Sequence, residues 1–255
     1  PPPLGTRATA PPAIERDGTV GVRVGEPGRG VRTIIEMVSR TRLDCVHGSA
    51  AGMRQAVTEA LWHARHRSAF GAALVDQPAL PAVLAARARE SEAATLTAER
   101  LAAAHDGESE HDRAFRRLAT AVSKYWVCKR GPHHAYEAME CLGGNGYTEA
   151  LPLARRYREQ PVMAIWEGSG NVIALDVLRA MGREPASVAA FEAELATTAG
   201  AHPGLAAHVA RPRRRRAVVG GAAAGAKQAQ ARRVVESLAL ARPAWRGGRP
   251  AAGGT

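Results

Sequence analysis

The chain has 255 residues and carries Lys+Arg 35 against Asp+Glu 24, a formal net charge of +11, a length that allows one large domain or two small ones. Aromatics make up only 4% while Gly 26 and Pro 16 are abundant, which argues against a core running along the whole chain. Residues 201–255 hold eleven Arg or Lys against one acid, Glu236, a net of +10, whereas residues 1–200 balance 24 bases against 23 acids; a uniformly basic protein is excluded, and the pattern is a near-neutral body with a basic tail.

Residues 1–27 open with three prolines and run through turn-rich sequence to Gly25-Glu-Pro-Gly-Arg-Gly30. The alternating stretch Val20-Gly-Val-Arg-Val24 has the pattern of a single strand, but a lone strand has nothing to pair with, so an irregular start is expected. From Val31 the character turns helical for about 160 residues. Ile35, Val38, Cys45, Ser49, Met53, Val57 and Ala60 recur at helical spacing, predicting a helix over 31–66 with one apolar stripe. Such a helix is about 54 Å long at 1.5 Å per residue and needs long partners. Helices over 78–104 and 111–141, separated by the polar turn His105-Asp-Gly-Glu-Ser-Glu110, supply them. A shorter helix from about Ser169 to Gly182 completes an all-α, antiparallel long-helix bundle. Beyond residue 190 the pattern weakens. Residues 186–199 and 228–241 keep helical periodicity, but Arg211-Pro-Arg-Arg-Arg-Arg216 and the closing Arg-Pro-Ala-Trp-Arg-Gly-Gly-Arg-Pro run have no means to build a core. The expected division is an irregular segment over 1–27, a helical domain over 28–190 and a basic, partly helical or disordered tail over 191–255.

Cys45, Cys128 and Cys141 are odd in number and lack C-x-x-C spacing, which argues against a disulfide framework or a cysteine zinc site. They read as small buried apolar residues in a reducing compartment. No apolar run reaches the ~18 residues of a membrane span and no signal peptide opens the chain, so the cytoplasm is the expected location and a membrane is not an expected partner. His63, His66 and the His133-His134 pair lack an acidic partner at ligand spacing, so no metal is expected and they read as surface or satisfied helix histidines.

The segment Ile165-Trp-Glu-Gly-Ser-Gly-Asn171 precedes an apolar helix, with Ser169 as a natural N-cap. Glu167 stands on a glycine-rich turn beside Trp166, suited to act as a base in a desolvated pocket. Complementing the helix dipole is the simpler reading of the same residue. Two further segments stand at helix ends: Arg67-Ser-Ala-Phe-Gly71 with Gln77 shortly after, and Glu140-Cys-Leu-Gly-Gly-Asn-Gly-Tyr147. By themselves Arg67 reads equally as an exposed helix-end base, and Gly143 and Gly144 as a helix stop.

Together and in this order, these three segments resemble the C-terminal helical domain of the acyl-CoA dehydrogenase family, over about residues 20–185. Lys124-Tyr-Trp-Val-Cys-Lys-Arg130 and Ala138-Met-Glu-Cys-Leu-Gly-Gly-Asn-Gly-Tyr147 look like its AidB-like branch, associated with the adaptive response to DNA alkylation. The resemblance implies a flavin-dependent oxidoreductase with FAD as cofactor and an acyl-CoA as substrate. Glu167 would then take the α-proton of the thioester while the β-hydride passes to the flavin, and its backbone N–H would help hold the thioester oxygen. Arg67 would contact the FAD pyrophosphate across a subunit interface, a task suited to a planar multi-donor cation. Phe70 and Gln77 would lie along the same cofactor, and Gly143 and Gly144 would admit its ADP portion closely. Ser169 would bind FAD near the base, with Trp166 beside it and Asn171 at a polar position of the same turn. The spacing from Gly71 to Gln77 is one residue shorter than in many relatives.

By the resemblance, residues 1–27 would be an irregular remnant of the family's middle β-domain and linker, without the N-terminal helical domain or the rest of the β-domain that precede this segment in a complete member, so full activity is not expected of this segment by itself, and a homodimer or homotetramer is expected of its bundle. The AidB-like resemblance also implies a basic C-terminal region that binds duplex DNA, and Arg211, Arg213, Arg214, Arg215 and Arg216, with Lys227, Arg232 and Arg233, are its candidates. Clustered cations of this kind bind phosphate without sequence preference and with steep salt dependence. The final stretch also has the composition that a shifted reading frame in GC-rich DNA would give. Three functions therefore stand open: an acyl-CoA dehydrogenase, a DNA-binding flavoprotein with little dehydrogenase activity, and a truncated bundle that only oligomerises.

Overall fold

The computed structural model describes residues 3–8, 15–199 and 224–241. Its helices in chain order are α1 (Gly30–His66), α2 (Ala79–Asp106), α3 (Glu110–Glu140), α4 (Leu153–Met163), α5 (Gly170–Arg183), α6 (Pro185–Ala199), α7 (Ala224–Ala229) and α8 (Ala231–Leu240). A two-stranded antiparallel hairpin, β1 (Ser68–Ala69) and β2 (Ala72–Ala73), follows α1, and 3₁₀ turns occupy Leu74–Asp76 and Gly143–Tyr147. The expected all-α bundle is present. α4 and the hairpin are additions to the sequence reading.

Local chemistry explains where these elements begin. At the start of α3, Ser109 Oγ accepts from the Asp112 amide at 3.0 Å, while Glu110 and Asp112 place negative charge in the first turn, where the dipole favours it. Alternation of small and large side chains then sets the packing. Alanine-rich faces bring α1, α2 and α3 close together along their lengths. Gly52 of α1 and Gly131 of α3 both face the amide of Gln160 on α4, and a Cβ at either position would collide with that side chain.

The main core gathers Val46 and Met53 of α1, Leu101 of α2, Phe115, Leu118 and Val122 of α3, and Ile173 and Val177 of α5. Phe191 and Leu195 of α6 and Val234, Val235 and Leu238 of α8 complete it. A second cluster fills the other end of the bundle around Ala60, Leu84, Met139 and Leu153. The boundary expected at residue 190 therefore falls inside α6, and part of the segment expected as a tail is core. Burial of the apolar stripe of α8 gives a short helix an anchor that propensity would not supply.

The stripe on α1 is covered only in part. Ile35 is 59% exposed, and Val31, Ile34 and Met37 are exposed with it, whereas Arg42 and Cys45, further along α1, are bonded to α5 and α3. The strand pattern at Val20–Val24 forms no strand, and its three valines are exposed. No helix among the described residues is long and apolar enough to cross a membrane.

Candidate active site

The turn between α4 and α5 is made by residues 164–169. The Ile165 and Trp166 amides both donate to Val162 O, at 2.9 and 3.0 Å, closing the end of α4. The chain then reverses through two successive positive φ values, 57° at Glu167 and 110° at Gly168, before Ser169 enters α5 in extended geometry. Glycine takes such a conformation freely, whereas a glutamate in the left-handed region costs on the order of 1 kcal/mol or more and persists only where its surroundings hold it.

Those surroundings are two cations. Lys124 lies on the buried face of α3, 1% exposed, and its Nζ donates to Trp166 O at 2.8 Å and Gly168 O at 2.7 Å. Arg42 on α1 donates through Nε to Glu167 O at 3.0 Å and through a terminal nitrogen to Asp176 Oδ2 of α5 at 2.7 Å. Three consecutive carbonyls of the turn are thus taken by side chains of two other helices. Burial pushes the Lys124 ammonium below the usual lysine range, as expected of a cation whose hydrogen-bond acceptors are neutral carbonyls.

In front of the turn lies a cavity of about 330 Å³ lined by Thr41, Asp44, Cys45, Met163, Trp166 and Glu167. Glu167 therefore borders a mostly apolar hollow. Burial pushes the Cys45 thiol up, which keeps it a neutral wall group there.

The other predicted site residues lie in three segments. Trp166, Ser169 and Asn171 share the Glu167 turn. Ser169 caps α5 without a side-chain hydrogen bond, leaving its hydroxyl for another partner, and Asn171 Oδ1 accepts from Arg232 Nε of α8 at 2.7 Å. Arg67, Phe70 and Gln77 surround the hairpin after α1. Arg67 is the exposed C-cap of α1, and its carbonyl accepts from the Leu74 amide at 2.8 Å. Phe70 stands at the hairpin tip with φ 54° and its ring 96% exposed, and Gln77 Nε2 donates to Ala69 O at 3.1 Å. Gly143 and Gly144 lie exposed after α3, with nothing near the place a Cβ would take.

Arg42, at the turn, and Arg67, at the hairpin, are separated along one helix by about 38 Å at 1.5 Å per residue. Within one copy of the chain the two groups cannot meet on one small molecule. Each group nevertheless fits part of an FAD: an exposed guanidinium and an unpacked aromatic ring at one end, open glycine backbone after α3, and an unused hydroxyl at the glutamate turn.

The histidines take no part in this. His66 Nδ1 is 2.7 Å from Trp62 O, and the buried His134 is 3.0 Å from Arg87 O through Nε2, with burial lowering its pKa so that it stays neutral. Among the described residues no three His, Cys, Asp or Glu side chains come together in a way that would hold a metal. The arginines at 211 and 213–216, expected to bind nucleic acid, lie outside the described residues. Of that group's companions, Arg232 and Arg233 are exposed on α8.

Sequence reasoning misses Lys124 and Arg42 as site residues, and with them Thr41, Asp44, Cys45 and Met163. A signal for Lys124 does exist. It stands at i+3 from Ala121 and i−4 from Cys128, on the stripe that buries α3, where an unpaired lysine is rare. Nothing local distinguishes Arg42 from the other arginines of α1.

A sequence model of the acyl-CoA dehydrogenase C-terminal domain matches residues 28–182. The chain is 43% identical over 182 residues to the putative acyl-CoA dehydrogenase AidB of Escherichia coli, covering 71% of this chain and 34% of that protein. It is 32% identical over 193 residues to acyl-CoA dehydrogenase family member 11 of Caenorhabditis elegans, covering 74% and 31%. The crystal structure of Caenorhabditis elegans ACDH-11 in complex with C11-CoA aligns with a TM-score of 0.81 at 24% identity, over 88% of this chain and 41% of that one, and so shares the fold. The chain spans about a third of the length of both curated relatives, and homologues in this family are FAD-dependent flavoproteins. With a domain match from residue 28 to residue 182 and its helices in the same arrangement, this chain belongs to the acyl-CoA dehydrogenase family, in the branch that resembles AidB.

Proposed function

We propose that this chain is the base-bearing helical part of an FAD-dependent dehydrogenase that introduces a double bond between Cα and Cβ of an acyl-CoA thioester. The observation that carries the reading is Glu167, held in a left-handed turn at the edge of a largely apolar cavity. In that position its carboxylate takes the α-proton, and the new C=C forms as the β-hydrogen leaves as hydride. FAD supplies the hydride acceptor. The remaining work belongs to this chain's residues. Trp166, Cys45 and Met163 give the cavity its apolar lining, from which a bound acyl chain displaces water, strengthening the base's interaction with a polarised Cα–H. The Glu167 amide is available to the thioester oxygen as charge develops on it.

Arg67, Phe70, Gln77, Gly143 and Gly144 are assigned to the cofactor, and Ser169 and Asn171 to its approach at the turn. The length of α1 supports an arrangement in which the hairpin of one copy serves the FAD of another, and hence a homodimer or homotetramer. The test is direct. The protein should purify yellow, and addition of a medium-chain or branched acyl-CoA should bleach the flavin band. Glu167→Gln should keep the colour and lose the bleaching. A colourless protein that takes up no FAD defeats the proposal for this chain.

A second reading, duplex DNA binding linked to an alkylation response, is favoured by the net +10 carried by residues 201–255. Gel-shift affinity should then fall steeply from low to physiological salt and disappear when residues 211–255 are deleted. Unchanged binding by the truncated chain rules the tail out as the site.

A further inference from the structure

The Glu167 turn has an unusual source of support. Its three successive carbonyls, at Trp166, Glu167 and Gly168, are taken by Lys124 and Arg42. The placement is costly, because an ammonium on the buried face of α3 is desolvated. A lysine merely needing hydrogen bonds could have reached solvent along its flexible stem. Lys124 does not: it points inward to two carbonyls that flank the one residue of the turn that is not glycine yet has positive φ. Arg42 takes the carbonyl between them and is itself anchored by Asp176 on the helix that follows.

We propose that Lys124 and Arg42 are positioning residues that clamp the Glu167 turn, holding the glutamate backbone in its left-handed conformation so that the carboxylate stays at the cavity rather than swinging into solvent. The clamp ties α1 and α3 to the junction of α4 and α5. The carboxylate's position is thereby set by the packing of the bundle, not by the turn's own preference. The catalytic consequence rests on the reading of Glu167 as the base; the clamp itself does not.

Hydrogen exchange on the intact chain tests it. In Lys124→Met, which fills the same space without a donor, the peptide covering residues 165–172 should exchange about ten- to a hundredfold faster, the equivalent of one charge-assisted hydrogen bond lost. Peptides from α2 and α6 should stay within about twofold of wild type. Arg42→Lys, a milder change at a partly exposed position, should accelerate the same peptide by about three- to tenfold. Where Lys124→Met does not fold, Arg42→Lys decides the matter. Acceleration spread evenly over the bundle, or none in the turn, overturns the clamp and leaves Lys124 an ordinary core lysine.

Flavin bleaching separates the two ideas. Glu167→Gln should leave the turn's exchange unchanged while abolishing bleaching, and Lys124→Met should slow bleaching without weakening acyl-CoA binding. If Glu167→Gln still bleaches while Lys124→Met frees the turn, the base assignment fails and the clamp stands. If Glu167→Gln abolishes bleaching and Lys124→Met leaves the turn protected, the base stands and the clamp fails.

Discussion

Asp176 ties α5 to α1 and α3 by ion pairs. It pairs with Arg42 of α1 at 2.7 Å and with Arg117 of α3 at 3.1 Å, and its side chain is 14% exposed. Replacing it by asparagine keeps the shape and one acceptor oxygen but removes the charge, leaving Arg42 without its carboxylate and Arg117 with only Glu184, at 3.0 Å. Hydrogen bonds to charged groups contribute about 1.5–3 kcal/mol each, and breaking a buried ion pair costs about 3–5 kcal/mol. With residual solvent access and one surviving acceptor, the loss should be about 2 kcal/mol at neutral pH. For a folded body of this size that is a fall in Tm of about 4–8 °C.

The pH dependence sharpens the test. Burial pushes the Asp176 carboxyl up, but Arg117 and Arg42 outweigh it and hold it below the usual carboxylate range. A carboxylate with a depressed pKa in the folded state contributes stability that is full above the unfolded value, near 3.9, and is lost as pH falls through the folded one. The gap between wild type and Asp176→Asn should therefore be constant from about pH 6 to 8 and shrink below about pH 4. Urea unfolding followed by far-ultraviolet circular dichroism across that range measures it. A loss under about 0.5 kcal/mol, or a gap that stays constant down to pH 3, refutes the reasoning.

Other expectations follow from single features. Burial pushes the Cys128 thiol up to about 12 from 9.0, so above pH 9 the unfolded chain releases this proton and the folded one does not. The wild type should then lose about 1.4 kcal/mol at pH 10 that Cys128→Ala does not lose, read from denaturant midpoints at pH 7 and 10. Phe191 is 1% exposed and packs 6.3 Å from Phe115 between ring centroids, so Phe191→Ala should cost about 3–5 kcal/mol. A loss under about 1 kcal/mol would put α6 outside the cooperative fold. Phe70→Gly should leave stability unchanged or raise it by up to about 1 kcal/mol, since the ring is exposed and φ is positive. It should at the same time reduce FAD uptake measured by flavin absorbance, and unchanged uptake would remove Phe70 from the cofactor set. Ser109→Ala, which deletes the cap of α3, should cost about 1 kcal/mol by thermal unfolding.

The long helices are legible because their signals are local and repeated. The predicted spans 31–66, 78–104 and 111–141 lie within two residues of α1, α2 and α3 at each end. α4 escapes a reading of the sequence because Leu153–Met163 is short, rich in arginine and carries Pro161 inside it; its place is fixed by Gln160 between two glycines of other helices. α8 is readable as a helix but not as core, since its amphipathic face looks the same whether a partner covers it or not. Ile35 fails in the opposite sense: its spacing fits the stripe, but it stays 59% exposed.

The glutamate turn shows the same division most clearly. Its residues, the glycines around Glu167 and the capping Ser169, are readable from seven consecutive letters, because turn formation and helix initiation depend on backbone preferences a few residues apart. That the turn is gripped by Lys124 and Arg42 depends on contacts between residues 125 apart in the chain for Arg42 and 42 and 44 apart for Lys124. Sequence by itself determined the helices, the chemistry carried on each helix end and the family these resemble. Only the tertiary structure decided which faces are covered, that α6 and α8 complete the core, and that the hairpin and the glutamate turn stand far apart along α1. Side-chain direction and burial are properties of packed neighbours, and no periodicity along one stretch of sequence encodes which neighbours those will be.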